Sequence, residues 1–285
     1  MNNKVDGEWI RKTIERFVDS KKNTLQKGSD ETAWGKPLVG FSSGADPLYE
    51  FYKRDIGEFH LTPAEFLSHE YQKDKVAPEE LTVICWILPQ TEATKADHRR
   101  ETYFPSERWA RSRIQGESVN DELRRHVVDA LRGVSVEAVA PILSPLWIGA
   151  TSERYGFASS WSERHAAYAS GLGTFGLSDG LITPLGKAMR AGSVIAHVSI
   201  APNERPYSNH HAYCLFYARG TCGSCMKRCP IGAITVNGHD KKLCSKYLDM
   251  TKQYVQRHYG FEGYGCGLCQ VGVPCESRIP ENIEF

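Results

Sequence analysis

The alternation of apolar and polar positions predicts strands and helices in turn along the middle of the chain. The run LTVICWILP at residues 81–89 is continuously apolar, which is typical of a strand buried on both faces. Apolar residues at helical spacing that end in glycine predict two helices, and two more segments predict strands. The helices are expected at 120–133 and 162–173, and the strands at 136–143 and 192–200. The order strand, helix, strand, helix, strand predicts an α/β fold.

The N-terminal residues 1–22 predict an amphipathic helix rather than the apolar core of a signal peptide. Its apolar face would carry Trp9, Ile10, Ile14, Phe17 and Val18. The apolar runs elsewhere in the chain are too short to span a bilayer. We therefore expect a cytoplasmic protein without a membrane span.

Length and charge limit the domain organisation and the partners. The 285 residues suit one large domain, or a larger domain with a small one attached. A net charge of +1 gives no electrostatic basis for binding nucleic acid or an anionic membrane, so we expect neither. The segment 201–213 is polar, contains two prolines and precedes most of the cysteines. It predicts a boundary between a domain of residues 1–205 and a domain of residues 206–285.

The nine cysteines are distributed unevenly. Cys85 lies alone in the buried strand pattern, and we interpret it as a core residue. The other eight fall between residues 214 and 275. Such a density is found in secreted disulfide-rich domains and in metal-binding domains. Because no export signal is recognised, metal binding is favoured.

The spacing of these eight cysteines is similar to that of two-cluster ferredoxins. Those proteins use the run C-x2-C-x2-C-x3-C-P, in which the fourth cysteine binds the other cluster. The runs here are Cys222-x2-Cys225-x3-Cys229-Pro230 with Cys214 upstream, and Cys266-x2-Cys269-x5-Cys275 with Cys244 upstream. Exchanging the last cysteine between the runs gives two complete sets, each suited to a [4Fe–4S] cluster. Cluster one would use Cys214, Cys222, Cys225 and Cys275, and cluster two would use Cys229, Cys244, Cys266 and Cys269.

Two alternatives to iron–sulfur clusters stay open for these cysteines. Structural zinc sites also use paired C-x2-C units, and disulfides are the other possibility. The C-x3-C-P step and the PIGAI sequence that contains its proline are more typical of ferredoxins.

A glycine-rich stretch lies at residues 171–197 and includes Gly171, Gly173 and Gly176. Glycine lets a backbone approach a flat or bulky ligand closely. The same pattern is also found in plain helix caps and turns. It follows a predicted helix rather than a strand, so it lacks the context of a dinucleotide-binding fingerprint.

Together, these motifs resemble the epoxyqueuosine reductase and reductive dehalogenase superfamily. The resemblance rests on SERHAAYASGLGTFGLSDGLITPLGKAMRAGSVIAH at residues 162–197, on CSKYLD and on GCGLCQ. It implies a nitroreductase-like α/β domain that holds cobalamin without an axial base ligand. It also implies a small ferredoxin-like domain whose two [4Fe–4S] clusters pass electrons to the cobalt.

The resemblance also implies which residues contact cobalamin. They would be the glycine loop, the segment along the corrin edge and a lysine after Cys244. In this chain they are Gly171, Gly173, Gly176, Leu181, Ile182, Thr183 and Lys246. The sequence departs from the family pattern elsewhere: Leu177 replaces a lysine, and Val119–Asn120 replaces a tyrosine–histidine pair.

The proton donor is the most important departure. Epoxyqueuosine reductases carry an aspartate where this chain has Phe157, so we expect that the chain is not a true epoxyqueuosine reductase. Reductive dehalogenases use a tyrosine near a basic residue, and the resemblance then implies Tyr155 with Arg154 as the catalytic pair. A nearby cation is expected to lower the pKa of the phenol. Ser159, Ser160 and Glu163 are competing candidates.

The leading hypothesis is a cobalamin- and iron–sulfur-dependent reductase that cleaves a small organic substrate reductively. An external low-potential electron donor, a ferredoxin or a flavodoxin, would supply the electrons. One alternative is a protein that reduces, dealkylates or transfers cobalamin. Another is a ferredoxin-type electron-transfer protein without a corrinoid.

Overall fold

The computed structural model describes residues 5–26 and 29–281. The helices are α1 Gly7–Val18, α2 Pro47–Ile56, α3 Pro63–Glu70, α4 Glu92–Arg100, α5 Glu107–Arg132, α6 Glu163–Ala169, α7 Leu215–Arg219, α8 Ser224–Arg228 and α9 Lys241–Tyr259. The strands are β1 Leu38–Ser43, β2 Thr82–Pro89, β3 Ala138–Val139, β4 Gly149–Ser152, β5 Gly156–Ser159, β6 Thr174–Phe175, β7 Leu181–Ile182, β8 Met189–Ala196, β9 Ile234–Thr235 and β10 Gly238–His239.

The core is built on a four-stranded antiparallel sheet with the strand order β1-β2-β8-β3. In the inner strand β2, Cys85 pairs with Gly40 of β1 and with Ser193 of β8. Trp86 packs into the core under α1 and α5, and Ile87 packs into the core under α2, α3 and α6. Because helices cover both faces, β2 is apolar at nearly every position rather than at every second one.

Several predictions of the pattern are confirmed. The run at 81–89 forms β2, and Cys85 is fully buried in it. The N-terminal helix is α1; the Asp6 side chain caps it by accepting a hydrogen bond from the Trp9 amide at 2.8 Å. Its predicted apolar face packs on the sheet. In the described part of the chain, no helix has the length and apolar character needed to cross a bilayer.

The helix predicted at 120–133 is the second half of the longer helix α5. Ser106 caps α5, since its side chain accepts a hydrogen bond from the Trp109 amide. Asn120 therefore lies in the helix interior and is fully buried. Its side chain accepts a hydrogen bond from Trp86 Nε1 at 2.8 Å and donates one to Ala191 O at 3.0 Å. A polar residue that looks like a helix start in the sequence thus joins the helix to the sheet.

Three other predicted elements differ in extent. The strand expected at 136–143 is only β3, because Pro141 begins a 3₁₀ turn. The helix expected at 162–173 ends at Ala169, and the strand expected at 192–200 is β8, which is shifted towards the N-terminus. The mixed α/β character is confirmed, although neighbouring strands in the sheet run antiparallel.

Residues after 205 pack back onto the first part of the chain. The Tyr259 hydroxyl of α9 donates a hydrogen bond to Pro105 O at 2.8 Å. Glu276 forms an ion pair with Arg99 of α4. The boundary at 205/206 stays a prediction, and these contacts link its two sides.

We predict that Asn120→Leu lowers the free energy of unfolding by roughly 1–3 kcal/mol, because Trp86 Nε1 would lose its acceptor and Ala191 O would keep only its donor from Arg124. Anaerobic denaturant unfolding followed by circular dichroism measures the change. Glu122→Leu on the exposed side of α5 is the control and should stay within about 0.5 kcal/mol of wild type. Equal effects of the two substitutions would contradict the assigned role of Asn120.

Candidate functional site

The eight cysteines between residues 214 and 275 line two cavities, four to each. The larger cavity has a volume of about 230 Å³, and its cysteines are Cys229, Cys244, Cys266 and Cys269. The smaller cavity has a volume of about 20 Å³, and its cysteines are Cys214, Cys222, Cys225 and Cys275. This grouping matches the exchange of the last cysteine between the two runs. The binding of clusters by these sets stays a prediction.

The two cavities differ in volume. The smaller cavity holds little more than one water molecule. Within residues 5–26 and 29–281, no three His, Cys, Asp or Glu side chains surround a position suited to a single metal ion. Metal analysis, rather than the arrangement of side chains, therefore separates clusters from zinc.

The short helix α8 directs Cys225 and Cys229 into different cavities. Cys225 lies in the first turn of α8, and Cys229 is its C-cap with an extended backbone at φ −77° and ψ 113°. Pro230 follows Cys229, and a proline does not continue a helix. The chain turns there, and the Cys229 sulfur accepts a hydrogen bond from the Ala233 amide at 3.2 Å.

A tight turn at Gly267 positions the second cysteine run. Gly267 has φ 68°, and a Cβ at this position would lie 2.1 Å from the Trp109 ring of α5. Only glycine fits, because any side chain would overlap the indole and strain the backbone. The run between Cys266 and Cys269 is thereby held against the helix.

The thiols of each set raise the pKa values of their neighbours. Burial raises the pKa of Cys266 to about 12, and the other three thiols of its set act in the same direction. Burial also raises the pKa of Cys275; Lys187 opposes this, and Cys214 and Cys225 add to it. Metal binding to such thiols releases their protons, so metal affinity should increase with pH.

Arginine side chains line the larger cavity beside the cysteines. Arg164 lines the cavity and is exposed to solvent, and its Nη1 donates a hydrogen bond to Asp179 O at 2.6 Å. Burial lowers the pKa of Arg190 to about 10, although Arg190 Nε is 2.6 Å from Glu117 Oε2. The lining is therefore cationic, which favours anionic groups.

His239 lies between Asp179 and Cys244 at the edge of the same cavity. Its Nδ1 is 3.1 Å from Asp179 Oδ2, and this hydrogen bond, with a second one to Cys244, raises the pKa of His239 to about 9. At neutral pH the imidazole is thus protonated and can donate to the sulfur.

The glycines that the resemblance assigns to cobalamin pack against the chain itself. A Cβ at Gly171 would lie 2.5 Å from Glu204 O, and one at Gly173 would lie 2.2 Å from Ile182 O. The segment assigned to the corrin edge is at most 1% exposed: Leu181, Ile182 and Thr183. At these residues the structure therefore offers no free surface to a corrin. The close approach that requires glycine is to backbone oxygens of the protein.

Two other assigned residues lie apart from these. Gly176 lines the smaller cavity, where a Cβ would lie 3.2 Å from Ile182 Cδ1. Lys246 is exposed on α9. It follows Cys244 by two residues, which is about 200° around a helix, and it does not line the larger cavity. The structure thus does not bring the assigned cobalamin residues together around one open space.

Tyr155 and Arg154 lie at the tip of the β4–β5 hairpin, and both contact Asp55. The Tyr155 hydroxyl donates a hydrogen bond to Asp55 Oδ2 at 2.6 Å, and Arg154 forms an ion pair with the same carboxylate. Burial and the Asp55 contact raise the pKa of Tyr155, and Arg154 opposes them only weakly. The expectation that the cation lowers this pKa is therefore wrong in net direction.

Sequence reasoning missed several charged residues of the site. Lys187 and Arg190 precede all eight of these cysteines in the sequence, and His239 lies between the two runs. Only folding brings the three side chains to the cavities. Lys187 had one weak signal, since it is a lone charge in the otherwise small and apolar stretch TPLGKAM.

The chain is similar in sequence to an epoxyqueuosine reductase and in fold to a reductive dehalogenase. No family model matches the chain. An epoxyqueuosine reductase from Staphylococcus aureus is 30% identical over 119 residues, which are 40% of this chain and 29% of that protein. A reductive dehalogenase whose structure suggests a mechanism for B12-dependent dehalogenation has a TM-score of 0.51 and is 13% identical. The match covers 86% of this chain and 30% of the dehalogenase chain.

Solved epoxyqueuosine reductases are similar in fold as well. The Bacillus subtilis enzyme has a TM-score of 0.50 at 17% identity, over 87% of this chain and 63% of its own. An epoxyqueuosine reductase solved with a modified tRNA stem loop has a TM-score of 0.53 at 17% identity, over 98% of this chain and 66% of its own. The chain thus spans less than two thirds of the length of these relatives.

These likenesses confirm the resemblance to the epoxyqueuosine reductase and reductive dehalogenase superfamily, and at such identities the structures show the fold. The low identities are consistent with the expectation that the chain is not a true epoxyqueuosine reductase.

We predict that Cys229→Ser damages cluster two although Cys229 lies in the first run, because its sulfur lines the larger cavity. Mössbauer and paramagnetic resonance spectra of the variant should match those of Cys244→Ser. Cys222→Ser, from the same run as Cys229, is the matched control and should damage the other cluster. Identical spectra for Cys229→Ser and Cys222→Ser would show that the ligands are not exchanged.

Gly176→Val separates a cobalamin contact from a packing role for the glycine loop. Because Gly176 borders the smaller cavity and Ile182, we expect the iron content to fall by up to half, with no specific loss of cobalamin retention. Iron and cobalt are measured on the same preparation. Strongly reduced cobalt with normal iron would instead place the corrin against Gly176.

Proposed function

We propose that this chain is a cobalamin- and iron–sulfur-dependent oxidoreductase that cleaves a small organic substrate reductively. The observation that carries the proposal is the division of eight cysteines between two neighbouring cavities, four to each. The reductases among the similar proteins support the reaction class. The similar proteins are longer than this chain, and the proposal concerns the activity of the whole protein.

The cysteine sets are the proposed ligands of two [4Fe–4S] clusters. Thiolates are the usual ligands of such clusters, which supply one-electron transfer when bound. The chain contributes burial and fixed charge: Cys225 and Cys214 are buried, and Arg164 and Lys187 face thiols of the two sets. The two cations set the electrostatic environment of the ligands.

The proposed organisation is a nitroreductase-like cobalamin-binding domain of residues 1–205 and a ferredoxin-like domain of residues 206–285. In support, all eight paired-run cysteines lie in the second part, and the sheet lies in the first. Both cavities lie where the two parts meet, since Arg190 and Gly176 of the first part line them.

Cobalamin belongs to the proposal through the similarity to a dehalogenase described as B12-dependent. Five of the residues assigned to it by resemblance do not fit that role: Gly171 and Gly173 lie against backbone oxygens of the protein, and Leu181, Ile182 and Thr183 are buried. Gly176 and Lys246 lie apart from them.

Tyr155 remains the proposed proton donor, with Arg154 beside it. Its raised pKa keeps the hydroxyl protonated at neutral pH, so it can donate a proton to a strongly basic product. The competing hydroxyls donate to backbone carbonyls, Ser159 Oγ to Trp161 O at 2.6 Å and Ser160 Oγ to Leu146 O at 2.8 Å, whereas the Tyr155 hydroxyl donates to the Asp55 carboxylate.

The third competitor, Glu163, is also engaged. It pairs with Arg124 and accepts a hydrogen bond from Ser193. Burial raises the pKa of Glu163 against the opposing effect of Arg124. A carboxyl group held by two partners inside the core is poorly placed to exchange protons with a substrate.

The proposed partners are a small-molecule substrate and an external low-potential donor, a ferredoxin or a flavodoxin, in the cytoplasm. The expectation that nucleic acid is not a partner is unconfirmed, since one structural neighbour was solved with a tRNA stem loop.

A second candidate is an electron-transfer protein of ferredoxin type without a corrinoid. It is favoured by the lack of free surface at the glycine loop. A protein that reduces, dealkylates or transfers cobalamin is the remaining alternative from the sequence.

Analysis of the purified protein tests the proposal. The protein is produced with cobalamin in the medium, and its anaerobic absorption spectrum, iron, sulfide, zinc and cobalt are measured. Eight iron atoms and one cobalt per chain are expected. Iron without cobalt would support the electron-transfer candidate, and zinc without iron would overturn both. Turnover of candidate substrates with a chemical reductant separates an enzyme from a cobalamin-handling protein.

We predict that Tyr155→Phe lowers turnover of a substrate by roughly 10²–10⁴-fold, the usual contribution of general acid catalysis. The clusters and cobalt must first be shown to match those of wild type. Tyr103→Phe, which removes a different half-exposed phenol, should leave turnover unchanged. If Tyr155→Phe stays within about twofold of wild type, Tyr155 is not the general acid.

A further inference from the structure

Lys187 is a buried cation that lies between the two cysteine sets. It precedes β8 and is 3% exposed. Its amide donates hydrogen bonds to Cys275 O at 2.8 Å and to Glu276 O at 3.1 Å. Its Nζ donates to Ser178 Oγ at 3.2 Å, and its side chain lines the smaller cavity. Backbone and side chain are therefore both fixed beside the cysteines.

This ammonium group has no carboxylate partner. Across the part of the chain that the structure describes, no Asp or Glu oxygen lies within 4.0 Å of Lys187 Nζ. A charge removed from water is costly unless an opposite charge or strong hydrogen bonds compensate it. Its polar side-chain contacts are the neutral hydroxyl of Ser178 and the sulfur of Cys275. The site therefore needs anions that are not carboxylates.

The anions that face Lys187 are sulfurs of both sets. The Lys187 side chain hydrogen-bonds to the side chain of Cys275, and Cys269, Cys225 and Cys214 lie close enough to interact with its charge. Three of these four cysteines belong to the cluster-one set and one, Cys269, belongs to the cluster-two set. A cation in this position therefore interacts more strongly with cluster one than with cluster two.

We propose that Lys187 is the shared counter-cation of the two clusters and that it raises the reduction potential of cluster one. The inference rests on the proposed function, because it requires that the cysteines hold clusters. Reduction adds one negative charge to a cluster, and a fixed positive charge at low dielectric favours the more negative state. Lys187 thereby helps to set the order in which the clusters accept electrons.

The test is Lys187→Met, which removes the charge and keeps most of the side-chain length. Both clusters are titrated anaerobically with dithionite and followed by paramagnetic resonance, with signals assigned from Cys275→Ser and Cys229→Ser proteins. Each cluster takes one electron from dithionite, and no bond forms or breaks. At a fixed potential, the ratio of reduced to oxidised cluster one should fall at least tenfold, a midpoint lower by roughly 59 mV. Cluster two should change by a smaller factor.

Lys227→Met is the matched control. Lys227 lies between Cys225 and Cys229 in the sequence but is exposed, so solvent and salt screen its charge. Its loss should change the ratio less than twofold in either cluster. An equal shift in both lysine variants would overturn the specific role of the buried charge.

Iron content distinguishes the possible failures. Full iron with less than a twofold change in Lys187→Met overturns the proposal. If Lys187→Met holds no iron, Lys187→Arg decides. If Lys187→Arg binds iron, a cation is needed at this position, which supports the proposal. If neither variant binds iron, the site requires the shape of the lysine side chain rather than its charge, and the proposal is overturned. Iron missing from the wild-type protein would overturn the proposed function instead.

Discussion

The contact between the start of β8 and residues 275–276 ties the cysteine segment to the sheet. Gly186 has φ 81°, and a Cβ there would lie 2.1 Å from Glu276 O, so the two backbones meet without an intervening side chain. The amides of Lys187 and Ala188 donate hydrogen bonds to carbonyls of Cys275 and Glu276. The last cysteine of the second run is thereby placed next to the first run, and the smaller cavity forms at this junction.

A network of buried charges connects the sheet with the larger cavity. Arg124 of α5 is 1% exposed at its side chain and pairs with Glu117 and Glu163. Glu117 also holds Arg190 of β8, whose guanidinium group lines the cavity. Removing one partner from such a network leaves an uncompensated buried charge. The network therefore fixes where the cationic lining lies, in addition to any effect on stability.

Local sequence patterns predicted the elements in which each face has the same surroundings along its whole length. The apolar run of β2 was recognisable because both of its faces are covered, and α1 because one face is apolar and the other polar. The start of α5 was missed because Asn120 looks like a cap but has its hydrogen-bond partners in β2 and β8. β3 was overextended because pairing with β8, rather than the apolar pattern, decides how long it is.

The sequence by itself predicted the two sets of cysteines that line the cavities, because spacing within a run is local and the exchange of the last cysteine follows the two-cluster ferredoxin pattern. It did not determine what surrounds them. Lys187, Arg164 and Arg190 reach the cavities through strand pairing and helix packing across long stretches of chain. Tertiary structure also decided that the glycine loop packs on backbone oxygens of the protein, since a glycine pattern does not specify what approaches it.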